Sequence, residues 1–271
     1  MSNAINLWGG EKGGTGKSWG ARLDCQRHLD RAQDFFLIDT DKSNATTSNY
    51  YGSHKFDKKA FFSEEASRAS TANSLLDAAL LRPVVANCKA GTNEALLTWL
   101  VSKKVTPTAL RLGIRMRYLF VSDLDNDSLN LFEPTAETIG QYMPMIFVAN
   151  LGRNTTDLEF FESDSFQGLL ESYRVPVVRL GLFDLEMKKV VDGRNPQKQL
   201  LTWGEARDNP DFGILVQQEI QTYLEDFYAQ LDGAERFADS AFSERFASKD
   251  ANGQETETLP NPPSKRNSRN G

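Results

Sequence analysis

The sequence predicts an α/β fold, a doubly wound, mostly parallel sheet with helices on both faces. Short apolar runs recur along the chain: Ile5 to Trp8, Phe35 to Ile38, Pro83 to Asn87, Arg117 to Ser122, Met145 to Asn150 and Val175 to Leu180. Stretches of helical spacing separate most of them, as expected of strands covered on both faces by crossover helices. A glycine-rich turn, Glu11 to Ser18, joins the first run to the first helical stretch. With 271 residues the chain can bury a sizeable core.

Composition narrows the class. Hydrophobic residues make up 39% and charged residues 25%, ordinary soluble globular values. Apolar runs are too short to span a bilayer, and no basic-then-apolar leader opens the chain. Two cysteines, Cys25 and Cys88, fit a reducing, cytoplasmic setting and are too few and too far apart for a structural zinc site. A net charge of −6 argues against coating DNA through a global field.

The first strand, turn and helix together make a phosphate cradle. Gly13, Gly14 and Gly16 let backbone N–H groups, with that of Thr15, converge on an anion, and the helix from Trp19 to Ala32 adds its positive end. Lys17 is placed to reach the β- and γ-phosphates, and the Ser18 hydroxyl to ligate Mg²⁺. The general pattern G-x-x-x-x-G-K-[ST] fails at one position: Glu11 stands where its first glycine belongs, and Gly10 is one residue early.

The second strand ends at Asp39-Thr40-Asp41, beyond the carboxyl end of the sheet where functional groups gather. A carboxylate at Asp41 can position a water in line with a γ-phosphate or hold Mg²⁺ through its shell. Asp-x-Asp followed by Ser and Asn is also turn chemistry.

These two segments carry a resemblance. Lys12 to Ser18 resembles the deviant phosphate loop K-G-G-x-G-K-[ST] of the ParA/MinD partitioning ATPases, a P-loop NTPase family. Leu37 to Ser48 is similar to that family's D-x-D-P-Q-G-N-A-T-T segment with one residue missing, Lys42 replacing proline and Ser43 glutamine. The resemblance implies ATP and Mg²⁺ as cofactors, Asp41 beside the attacking water and metal, and an ATP-dependent homodimer. In that dimer Lys12 of each subunit crosses to the other's phosphates, as an arginine finger does. It spans roughly 5–231 and fades after Asn150. The Gly9-Gly10-Glu11-Lys12 opening is most similar to plasmid stability or mobilisation proteins, whose partners are DNA-bound adaptors or DNA rather than membranes.

By order, the third strand is the family's Walker B strand, yet it ends in Asn87 rather than an aspartate. The alternative is the fourth strand, which supplies Asp123; strand order favours Asn87. Asparagine offers oxygen without charge, which puts hydrolysis rate in question more than binding. The resemblance also implies that Asn150, ending the fifth strand, contacts the adenine, although asparagine is common in turns.

The remaining elements are plainer. Tyr50 to Arg82 is a connection over the sheet edge containing a short helix, Ser74 to Leu81. Asn93 to Val101 is an apolar helix. Lys103, Lys104, Arg111, Arg115 and Arg117 form the densest positive region, a solvated face or a surface for an acidic partner or DNA. Leu158 to Tyr173 is a helix with Phe160, Phe161, Phe166, Leu169 and Leu170 inward. Lys188 to Arg194 is a lid or partner loop.

Ile214 to Leu231 carries an apolar stripe including Leu215 and closes a nucleotide-binding domain of residues 1–232. Residues 233–250 read as a solvated or partner-binding helical arm, and 251–271 as a disordered tail. His28 reads as a surface residue of the first helix. Two other functions compete with the ATPase switch: a nucleotide-binding scaffold with little hydrolysis, and a dethiobiotin-synthetase-like ligase acting on a small carboxylate.

Overall fold

The computed structural model describes residues 3–40, 47–153, 158–183, 191–192 and 200–251, with the side chains of the last helix described through 245. Asp41, most of the segment after it, Lys188 to Val190, Gly193, Arg194 and the tail from 252 onward lie outside the described residues.

The sheet is parallel throughout. Its strands are β1 (Ala4–Gly9), β2 (Phe36–Asp39), β3 (Val84–Asn87), β4 (Arg115–Ser122), β5 (Met145–Asn150) and β6 (Val177–Leu180), ordered β2-β3-β1-β4-β5-β6. Side chains alternate between two buried layers, as strands covered on both faces require. Ile5 and Leu7 of β1 join Phe120 and Phe147 in one layer; Trp8 joins Leu119, Val148 and Val178 in the other.

The first layer is covered by α3 (Ser74–Ala79), α4 (Asn93–Ser102), α5 (Val105–Arg111), α6 (Asn126–Asn130), α7 (Phe132–Thr138), α8 (Glu159–Glu162) and α9 (Asp164–Ser172). The second is covered by α1 (Lys17–Asp30), a short helix Trp203–Arg207 and a long C-terminal helix Ile214–Ala251. A further turn of helix, α2 (Ser48–Tyr51), leads into the segment that runs beside the edge strand β2, where Phe56 N–H donates to the Leu37 carbonyl at 3.1 Å. The opposite edge, β6, is blocked: Gln230 accepts from Arg179 N–H at 2.8 Å and donates to its carbonyl at 3.2 Å.

Several expectations change. The helix from Leu158 to Tyr173 is broken in two, because Ser163 is extended and caps α9 by accepting from Phe166 N–H. Phe160 is consequently exposed. His28 is not at the surface: it is buried, stacked on Phe35 at 5.2 Å and bonded to Gln33 at 2.9 Å. Leu215 is exposed and lies outside the apolar stripe.

The C-terminal helix does not end near Leu231. It continues unbroken, with Ala234, Ala238, Ala241 and Phe242 buried while Phe237 is exposed. Asp232, Glu235 and Asp239 on this helix are paired rather than solvated. Asp24 on α1 has no exposed surface and accepts from Asn6 at 2.9 Å and Trp8 at 3.1 Å. Arg27 reaches Asp24 at 3.0 Å, Asp232 at 3.0 Å and Glu235 at 2.8 Å. Arg117 is only 5% exposed, grips Asp239 through Nε at 2.8 Å and Nη2 at 2.9 Å, and bonds Asn6 at 3.1 Å. Arg117 therefore leaves the expected positive surface, and Arg115 turns to Asp239 at 3.4 Å.

Burial pushes the Asp24 and Glu235 carboxyls upward, but their arginine partners outweigh it and hold both below the usual range. A carboxyl with a depressed folded value stabilises above its unfolded value, ~4, and loses that contribution as pH falls through its folded one. Urea midpoints should therefore be flat from pH 7 to about 5 and fall below it. Asp24→Asn should flatten that acid slope; an unchanged slope would remove Asp24 from the account.

Candidate functional site

All strands point the same way, so every loop leaving a carboxyl end gathers on one rim of the sheet. The turn between β1 and α1 occupies its centre. Gly14 and Gly16 have φ of +77° and +109°, the left-handed region that favours glycine, and a Cβ on Gly13 or Gly14 would meet only open space. Gly16 is the N-cap of α1, and the first turn of that helix carries no acid, so its positive end faces the loop unopposed. These features suit an anion.

Glu11, the departure from the general pattern, has a structural use. Its carboxylate accepts from Asn93 N–H at 2.8 Å and so ties the loop to the start of α4. Lys17 is 8% exposed and donates to the Lys12 carbonyl at 2.5 Å. Burial pulls its ammonium below the ordinary lysine value, against the nearby Cys88, Glu11 and Asp123. That carbonyl is a modest partner for a buried cation, and a phosphate would be a stronger one.

Ser18, Asp39 and Asn87 meet beside Lys17. Trp8, Asn87 and Asp39 form a row across β1, β3 and β2. The Asn87 amide donates to Asp39 at 2.8 Å and to Ser18 Oγ at 3.2 Å. Asp39 also accepts from Ser48, from N–H at 2.8 Å and from Oγ at 2.5 Å, anchoring α2. The set offers a hydroxyl, an amide oxygen and one carboxylate. Those are hard oxygen donors suited to Mg²⁺ shared with phosphates. Among the described residues no cluster of three or more acidic, histidine or cysteine ligands exists that would hold a metal unaided.

Lys12 and Asn150 already have partners. Lys12 pairs with Asp123 at 3.0 Å and with Asp125, which also caps α6 by accepting from Ser128 N–H. The bond to Asp125 chiefly raises the Lys12 ammonium, partly opposed by burial. Asp123 thus lies across β1 from Asn87, on the Lys12 side of the loop. Asn150 donates to the Thr15 carbonyl at 2.8 Å and props the loop from below.

Sequence reasoning missed the aromatic wall of the rim. Trp19 meets Trp203 at 4.7 Å and Phe183 at 5.7 Å, and donates to Tyr223 Oη at 3.0 Å. Trp19, Phe183, Tyr223, Asn150 and Arg153 border a cavity of about 120 Å³ at Gly16. These residues come from separate elements with no shared periodicity, so only the fold unites them.

No protein-family model and no curated protein sequence matches the chain. Among solved structures, it is similar to the cell division ATPase MinD of Pyrococcus furiosus, with 15% identity, 84% of this chain and 99% of that one covered, and a TM-score of 0.48. It is also similar to a nucleotide-binding protein from Archaeoglobus fulgidus in complex with ADP, with 16% identity, coverage of 70% and 86%, and a TM-score of 0.43. A plasmid partition protein from Borrelia burgdorferi is similar at 13% identity, coverage of 84% and 99%, and a TM-score of 0.39.

A Cβ on Gly16 would overlap the Asn150 amide, and its φ disfavours any other residue. Gly16→Ala should destabilise the chain by about 1–3 kcal/mol in urea unfolding, through overpacking and strain. Unchanged stability would show that the loop relaxes freely away from Asn150.

Proposed function

We propose that the chain is an ATP-binding switch with slow hydrolysis, acting as an ATP-dependent homodimer in plasmid partition, stability or mobilisation. The observation that carries this reading is the loop itself: open space over Gly13 and Gly14, an acid-free helix start at Gly16, and the buried Lys17 ammonium within 2.5 Å of the loop backbone. The N–H groups of Gly13 to Ser18 would cradle the phosphates, Lys17 would neutralise β and γ oxygens, and Asn150 would hold the loop in shape for the base. Ser18 and Asp39 would hold Mg²⁺, which supplies charge neutralisation at the phosphate oxygens. The resemblance assigns Asp41 to the attacking water.

Lys12 has the most particular role. To cross to a partner subunit's phosphates it must leave Asp123 and Asp125, so dimerisation exchanges an internal ion pair for an intersubunit one. Lys17→Ala should weaken ATP binding at least 100-fold by equilibrium dialysis, about 2.7 kcal/mol or more. Lys12→Ala should keep binding, lose turnover and sediment as a monomer with ATP and Mg²⁺ where the wild type dimerises. Unchanged turnover in Lys12→Ala would end the trans-lysine reading.

A scaffold that hardly hydrolyses ATP is the second reading, favoured by Asn87. Its neutral amide contacts both Ser18 and Asp39 where the resembled family places a carboxylate. Asn87→Asp should raise single-turnover hydrolysis about tenfold or more at saturating Mg²⁺ and tighten Mg²⁺ dependence, because a charge replaces a dipole near the metal. Wild-type ATP left intact over hours would favour the scaffold.

A further inference from the structure

Arg22 is the buried cation that the nucleotide reading does not use. It lies on α1 four residues beyond Ser18, about 6 Å further along the helix axis. The side chain is 5% exposed. Its Nη1 pairs with Asp192 at 2.9 Å, and Cζ stacks 3.5 Å from the centre of the Tyr50 ring, with Trp19 at 5.4 Å. Tyr50 in turn donates to Asp192 at 3.1 Å.

One edge of the guanidinium has no use in these contacts. Nε and Nη2 are buried and without a hydrogen-bond partner among the described residues. Together they form the side edge of the fork, two parallel N–H groups whose spacing matches a carboxylate or phosphate. A buried charged donor without an acceptor is costly, so the pair is a strong demand for an oxyanion. Arg22 lines a cavity of about 560 Å³ with Lys17, Ser18, Trp19, Asn49 and Tyr50, continuous with the phosphate loop. Arg153 adds a second cation to the same walls.

We propose that Arg22 and this cavity form a second anion site, binding a small molecule with a carboxylate or phosphate beside the nucleotide. The proposal rests on the nucleotide reading for what fills the loop. The triphosphate is served by the first turn of α1 and by Lys17, whereas the Arg22 fork lies a helical turn deeper and serves a different group. Tyr50, half-buried, stacks on the guanidinium face and so fixes the plane of the fork.

The test uses the full chain saturated with Mg²⁺ and the non-hydrolysable analogue AMPPNP, so that the triphosphate positions are filled. Equilibrium dialysis with inorganic phosphate, and separately with succinate, should find one saturable site for at least one anion; the tighter probe identifies the phosphorylated or carboxylic class. Arg22→Met should weaken that site at least tenfold, and Arg22→Lys severalfold because the charge remains but the fork is lost, with AMPPNP affinity within twofold of wild type in both. No saturable anion site, anion binding unchanged in both variants, or AMPPNP weakened tenfold by Arg22→Met would each overturn the proposal. The last result would assign Arg22 to the nucleotide's own phosphates. Should Arg22→Met fail to fold by circular dichroism, the lysine variant carries the comparison. Failure of AMPPNP to bind wild type would instead remove the nucleotide reading, and phosphate titration of Lys17→Ala with and without Arg22→Met would still read this site.

Discussion

A carboxylate with no exposed surface must be paired, and Asp24 is the pivot on which this architecture is organised. Asn6 and Trp8 hold it from the strand that precedes the phosphate loop, and Arg27 from the helix that follows it. The same arginine reaches Glu235, and Asn6 extends the network to Arg117 and Asp239. Strand, helix and C-terminal helix are thereby fixed in one arrangement. Breaking such a buried set by removing one partner typically costs about 3–5 kcal/mol, because a charge is left uncompensated.

Rigid support at the base allows an open rim. The loop from Gly10 to Gly16 is held by side chains around it rather than by packing over it: Glu11 to α4, Asn150 to the Thr15 carbonyl, Lys12 to Asp123 and Asp125. No side chain stands over Gly13 or Gly14, where an added Cβ would meet only open space. Asn87, the neutral member of the oxygen cluster, bonds Asp39 and Ser18 instead of repelling the carboxylate beside it.

The aromatic wall and Arg22 add a feature that a phosphate loop alone does not require. Trp19 and Arg22 share α1, yet one faces Phe183 and Tyr223 while the other lies under Tyr50. A single helix therefore presents an acid-free N-terminal end, a ring surface and a buried cation to neighbouring parts of one rim.

Local chemistry made much of this legible in the sequence alone. Glycines at 13, 14 and 16 declare the tight turn between β1 and α1, because the backbone at Gly14 and Gly16 takes left-handed φ values that favour glycine. Apolar runs declare the six parallel strands because a strand buried on both faces tolerates little else. What only the tertiary structure decided is where the charges go. Arg117 reads as part of a basic surface, and Glu235 and Asp239 as part of a solvated or partner-binding arm, until they meet across as many as 122 residues of chain. The uses of Glu11, Asn150 and Arg22 are hidden for the same reason. Pairing of buried polar groups depends on distance in space, and residue spacing along the chain carries no record of it.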